Sequence, residues 1–236
     1  MNLRLTRDQT FQVVLNLRTP NGHGRAEVGT GIFILKEENS PYILTASHVA
    51  RGCSQNTEVV ISDQNGDSHS IPITKLNANL SAWVHHPAAD VSVLPLNPDQ
   101  SIVGILQGRF FPFDQLNTTD STPSRDAYLT AVGFPNGLGA SGKFSPFTFR
   151  SHASSALITL LRADTNTPAN FFTLENPSVG GYSGGPVFDL GYIIVGSMTT
   201  YTGPTICHGI MHGTISDNTG GKIAAVTPSS YVKDIV

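Results

Sequence analysis

The run Gly180-Gly181-Tyr182-Ser183-Gly184-Gly185-Pro186 sets one serine among four glycines and closes on a proline. It suits neither a helix interior nor a central strand. Glycine loses more conformational freedom on ordering than any other residue, and proline has no N–H to give to a ladder. The run is therefore a loop by composition, free to bend sharply and to bring other backbone close. Such a loop can push a hydroxyl outward and turn amide N–H groups toward it. Acyl transfer uses both: a nucleophile, and donors already aimed at the developing oxyanion. By itself the run equally fits a Gly-rich turn with an incidental serine, so the decision rests on the rest of the chain.

That remainder reads as short strands punctuated by turns. A first series covers 11–17, 28–35, 42–45, 58–61, 70–74, 82–85 and 91–94, with turn signals such as Pro20-Asn21-Gly22 between them. A second covers 128–133, 144–150, 156–161, 171–174, 186–188, 192–198, 206–215 and 222–226. Between them, 97–126 holds Asn97-Pro98-Asp99 and Phe110-Phe111-Pro112, the best candidate for a connection that partly packs down. The expected division is 1–106, a linker at 107–126, and 127–236. Only the end reads as helix. Thr227 suits an N-cap and Pro228 the first helical position, and Tyr231, Val232, Ile235 and Val236 fall on one face. The fold class is all-β.

Charged residues are 13% of the chain, about half the usual share, yet 39% is hydrophobic, which excludes a disordered chain. A net charge of −3 without a basic run argues against a nucleic-acid or anionic-membrane partner. No apolar run approaches the ~18 residues of a membrane span, and the N-terminal residues lack a signal-peptide core. Cys53 and Cys207 are the only cysteines, too few for a disulfide framework. Two free thiols and a cytoplasmic location are expected. No cofactor and no metal are expected either. His208 and His212 are four apart, but Gly209 and Gly213 after them argue for strand or loop, not a ligating helix. Cys53 reads as a small buried residue.

Two further stretches carry chemistry. In Tyr42-Ile43-Leu44-Thr45-Ala46-Ser47-His48 an apolar strand ends in small residues and a histidine, a candidate general base. In His86-Pro87-Ala88-Ala89-Asp90-Val91-Ser92-Val93-Leu94 an aspartate opens an apolar run, where a carboxylate could fix a histidine tautomer. Together with the Ser183 loop, these segments resemble the three signature segments of the chymotrypsin/trypsin-like serine proteases, in the family's order His, Asp, Ser. Val28-Gly29-Thr30-Gly31-Ile32-Phe33-Ile34 and Ala131-Val132-Gly133-Phe134-Pro135 resemble strands of the bacterial and HtrA-type members. The likeness covers nearly the whole chain.

The resemblance implies two antiparallel six-stranded β-barrels with a short C-terminal helix. It implies a serine endopeptidase with His48, Asp90 and Ser183 as triad and the N–H groups of Gly181 and Ser183 as oxyanion hole. The partner is then a polypeptide substrate, with room for a regulatory protein. Its specificity pocket is expected at Pro177 and Ser178 before the serine, at Thr199, Thr200 and Tyr201 after it, and at Gly221. Trypsin-like members place an aspartate where Pro177 stands, so an uncharged P1 residue is expected. Zymogen members pair a new N-terminus with an aspartate just before the serine. Tyr182 stands there instead, so activation by N-terminal cleavage is not expected. Two rival readings remain: a partner-activated effector protease domain, and a catalytically silent protease-fold peptide-binding module.

Overall fold

Alternation with period two, buried on both faces, builds this molecule. A computed structural model describes residues 2–22, 26–38, 40–162, 164–216 and 219–236. In the first half lie β1 (Val14–Pro20), β2 (Ala26–Leu35), β3 (Pro41–Thr45), β4 (Glu58–Ser62), β5 (Ser68–Pro72), β6 (Val84–His85) and β7 (Ser92–Pro95). They run in the sheet order β5-β4-β1-β2-β3-β7-β6, and β8 (Phe111–Pro112) adds in parallel to β2. The second half holds β9 (Leu129–Gly133), β10 (Ala140–Ser141), β11 (Lys143–Phe144), β12 (Phe147–Ser151), β13 (Ile158–Leu161), β14 (Pro168–Leu174), β15 (Pro186–Asp189), β16 (Tyr192–Val195), β17 (Met198–Tyr201), β18 (Ile206–Ser216) and β19 (Lys222–Pro228). Its main order is β12-β9-β15-β18-β19-β14-β13.

Each sheet closes on itself, giving a double β-barrel. In the second, the chain from β12 bends at Ala153, which bridges Leu174, and Ser154 N–H donates to the Thr173 carbonyl at 2.8 Å. β12 and β13 thus act as one bent strand, and the barrel has six staves. In the first, the turn after β5 completes the ring. Ile73 N–H bonds Thr57, Asn97 N–H bonds Leu76, and the Asn77 amide donates to the Pro95 carbonyl at 2.7 Å.

Successive side chains of a strand point to opposite faces, and here both faces meet protein. Leu15, Leu17 and Phe33 fill the first barrel; their neighbours Val14, Ile32 and Ile34 face the second barrel. Across the interface Val132, Phe188 and Ile210 point back, while Ala131, Val187 and Met211 fill the second barrel. Phe111, from the linker, lies between, its ring 5.2 Å from that of Phe188. Burying one such side chain fully stabilises by roughly 1.5–3 kcal/mol, so the barrels are held by a shared third core. This is why the linker phenylalanines pack down.

Several expectations change in detail. The C-terminal segment is a 3₁₀ helix, Ser229–Asp234, entered from Pro228 rather than capped by Thr227, which belongs to β19; Ser229, Ser230 and Val232 are its buried residues. The expected strand at 192–198 is instead the start of a separate hairpin, β16–β17, because Gly196 at φ 61° turns the chain. The expected strand at 70–74 ends at Pro72, where a helical turn, Ile73–Leu76, begins. Among the described residues no helix is long and apolar enough to cross a membrane.

Candidate active site

The Ser183 loop is fixed from three directions. Thr30 N–H on β2 donates to the Ser183 carbonyl at 2.8 Å, and Thr30 Oγ1 donates to the Gly181 carbonyl at 2.7 Å. Gly184 N–H bonds the Met211 carbonyl on β18 at 2.8 Å. Asn136 N–H holds the Gly180 carbonyl at 2.7 Å. In a trans peptide the N–H lies opposite the C=O, so the Gly180–Gly181 peptide points its N–H the other way, and Gly180 and Ser183 line one cavity. Gly181 (φ 98°) and Gly184 (φ 81°) take backbone that favours glycine. Tyr182 between them is buried and meets the Phe149 ring edge-on at 5.2 Å. An aromatic anchor thus stands directly before Ser183.

His48 sits on the short helix α1 (Ser47–Gly52), straight after β3. Asp90 is fully buried at the end of a turn that His86 organises: His86 Nδ1 accepts from Ala88 N–H at 3.1 Å and Ala89 N–H at 2.8 Å. Asp90 Oδ2 then accepts from His48 Nδ1 at 2.7 Å, and Oδ1 from His48 N–H at 3.0 Å. A carboxylate only accepts, so Nδ1 carries a proton, and in the neutral ring the lone pair is then on His48 Nε2.

Two more donors reach the same carboxylate from the second barrel. His212 Nδ1 lies 2.5 Å from Asp90 Oδ2, and Arg162 Nη2 3.4 Å from Oδ1. Burial alone would raise the Asp90 carboxyl, but the hydrogen bonds from His212 and His48 outweigh it and hold the group well below the usual carboxylate range. Arg162, 3% exposed, also pairs with Asp164 at 2.7 Å and donates to the Ala88 carbonyl at 3.2 Å. Asp164 in turn meets Arg51 of α1 at 3.3 Å. The four formal charges of Asp90, Arg162, Asp164 and Arg51 cancel.

His212 is aimed by a bulge. Met211 pairs with Val226 and Gly213 with Ala225, leaving His212 as the extra residue of β18. Its carbonyl accepts the Ser183 hydroxyl at 3.1 Å, so at rest that hydroxyl lies on His212 rather than on an imidazole nitrogen. His48, Asp90 and His212 offer donor atoms within 4.8 Å of one another. Arg162 already places a cation on that carboxylate, and both imidazoles present N–H to it, so the arrangement is satisfied by protons and fits a metal poorly.

His48 and Ser183 stand where two hollows meet. One, of about 380 Å³, is walled by Val179, Gly180, His212, Gly213 and Thr214, with Asp164 beside them. The other, about 100 Å³, is lined by Val28, Gly29, Val49 and Cys53. The profile of the trypsin-like peptidase domain matches residues 29–196. The chain belongs to that family. Among solved structures, the HtrA-type protease AlgW with a tripeptide is similar at 17% identity and TM-score 0.57, over 94% of this chain and 58% of that one. The Rv3671c protease from M. tuberculosis in its active form gives 16% and 0.60, over 96% and 80%. The MamO protease domain from Magnetospirillum magneticum gives 14% and 0.58, over 95% and 96%. No curated protein sequence matches. This chain thus spans little more than half the length of the AlgW chain it resembles.

For this trypsin-like peptidase domain the expected pocket residues divide. Ser178 is buried beside the larger hollow, its carbonyl bonded by Thr214 Oγ1 at 2.8 Å. Pro177 is exposed and Gly221 lies exposed in the turn after β18; neither lines a hollow. Thr199, Thr200 and Tyr201 are a correction. They lie exposed on β17, because the β16–β17 hairpin intervenes between β15 and the strand that walls the cavity, β18. Sequence reasoning missed His212, Arg162 and Asp164. The pair His208/His212 was visible, but nothing in the spacing reveals a bulge.

Proposed function

We propose that this domain is a serine endopeptidase that cleaves polypeptides through an acyl-enzyme, with His48, Asp90 and Ser183 as its triad. The observation that carries this reading is the 2.7 Å contact of Asp90 with His48 Nδ1, which leaves Nε2 basic in the hollow that Ser183 shares. Ser183 Oγ attacks the scissile carbonyl as His48 Nε2 takes its proton. The oxyanion is met by the N–H groups of Gly181 and Ser183. His48 then protonates the leaving amine, and water, deprotonated by His48, hydrolyses the ester. Hollows on both sides of Ser183 suit chain on both sides of the scissile bond, which supports an endopeptidase. The uncharged walls Val179, Gly213 and Thr214 support an uncharged P1 side chain, since Asp164 is already paired with Arg162 and Arg51.

The test is labelling by a fluorophosphonate with cleavage of a peptide library. Wild type is expected to label and cleave, and Ser183→Ala to do neither while melting like wild type. Equal turnover by Ser183→Ala would overturn the assignment. One observation favours a second reading, a partner-activated effector protease: the Ser183 hydroxyl rests on the His212 carbonyl. Labelling only after a partner is added identifies that case. No labelling under any condition identifies a silent peptide-binding module.

A further inference from the structure

We propose that His212 is a positioning residue for Asp90, an imidazole from the second barrel that shares one carboxylate oxygen with the His48 imidazole of the first. The inference rests on the triad reading above and adds a member to it. Four features carry it. His212 Nδ1 is 2.5 Å from Asp90 Oδ2, the oxygen that also receives His48 Nδ1. The side chain is 2% exposed, so no water competes for the contact. Its ring is wedged, lying 4.9 Å from the ring of Phe171 and 5.8 Å from that of His48, at 88° to the latter. The bulge in β18 serves to turn this one side chain out of the ladder and toward the carboxylate.

Consider Asp90 without it. Oδ1 would keep His48 N–H and the longer contact to Arg162, and Oδ2 would keep only His48 Nδ1. All but the Arg162 contact come from α1. A carboxylate held from one helix can pivot with that helix. Held also from β18, it is fixed in the frame of Ser183, whose loop bonds the same strand through Gly184 N–H. His212 thereby ties the orientation of His48, set by one barrel, to the nucleophile carried by the other. Its imidazole, 2% exposed, acts through Asp90.

The experiment combines two readouts on the full chain. In 15N-histidine-labelled wild type, His48 and His212 are both expected to show protons on Nδ1, protected from exchange. His212→Leu, which has no donor, is expected to slow fluorophosphonate labelling and lower kcat on a peptide by about 10- to 100-fold, the scale of a misplaced reacting group, with KM unchanged. His212→Asn sets an amide N–H near the former Nδ1 and is expected to restore most of that loss. Equal losses in the Leu and Asn variants, or an unprotonated His212 Nδ1 in wild type, would overturn the proposal. If His212→Leu fails to fold, the nitrogen spectrum of wild type still decides. That spectrum needs no turnover, so a wild type inactive by itself with both protons on Nδ1 leaves this proposal standing and counts only against a peptidase active without a partner.

Discussion

Thr30 and Ser183 face each other across the barrel boundary, the Thr30 N–H donating to the Ser183 carbonyl at 2.8 Å while Thr30 Oγ1 donates to the Gly181 carbonyl at 2.7 Å. One residue of β2 therefore grips both sides of Tyr182. Thr30→Val keeps the shape and removes the hydroxyl, leaving the buried Gly181 carbonyl and the Phe134 N–H without it. The expected cost is about 1–3 kcal/mol, read by urea unfolding, together with slower fluorophosphonate labelling as the loop loosens.

Tyr182 anchors the same loop by packing. It is 5% exposed, and burial pushes its phenol up to about 12. Tyr182→Ala empties that site and is expected to cost about 3–5 kcal/mol. Tyr182→Phe keeps the ring against Phe149 and is expected to cost less than about 1.5 kcal/mol. Thermal melts of the pair check this. Similar losses in both would shift the weight to the hydroxyl.

Gly184 and Gly142 both have positive φ, at 81° and 68°, but differ in room. A Cβ on Gly184 collides with Thr45 Oγ1 and the Thr30 carbonyl, whereas one on Gly142 meets nothing. Gly142→Ala is expected to cost about 1–2 kcal/mol, from backbone conformation alone. Gly184→Ala is expected to exceed about 4 kcal/mol, the range of a disrupted core. Denaturation midpoints of the two variants give the comparison.

Acid is expected to weaken the fold through Asp90. Its carboxyl is lowered from the ordinary 3.8, so its contribution is complete above that value and is lost as pH falls below it toward the folded pKa. Unfolding free energy measured from pH 7 down to pH 2 should fall on the acid side. Asp90→Asn should be less stable at neutral pH and show a shallower acid loss. An unchanged acid slope in the variant would assign that loss to other carboxylates.

Neither thiol is expected to react readily. Burial pushes Cys53 up to about 11 and Cys207 up to about 12. At pH 8 the folded chain should be alkylated by iodoacetamide at least about 100-fold more slowly than a free cysteine, because only the thiolate attacks. Both should react promptly in denaturant. Mass spectrometry of the two states checks this.

The architecture and the segments that carry His48, Asp90 and Ser183 were legible in the sequence because local chemistry specifies them. Glycines around Ser183 require positive φ, a strand must end before His48, and turn residues must precede Asp90. The remainder depends on register between distant segments. His212 reaches Asp90 only because β18 is bulged, and Arg162 only because the turn after β13 folds over Ala88. Thr199–Tyr201 were misplaced because alternation does not distinguish a strand that walls a barrel from one in a protruding hairpin. The C-terminal residues show helical spacing over too few turns to separate α from 3₁₀.

That hairpin has a practical corollary. β15 and β18 are direct hydrogen-bonded neighbours, and the exposed β16–β17 hairpin lies between them in sequence. A Cβ added to Gly196, in the hairpin's turn, would meet nothing within 4 Å. An epitope tag or a fluorescent reporter grafted at that turn would lengthen the chain without altering the spacing of Ser183 from His48 and Asp90. The molecule thus carries an attachment point that protein engineers can use while leaving the chemistry alone.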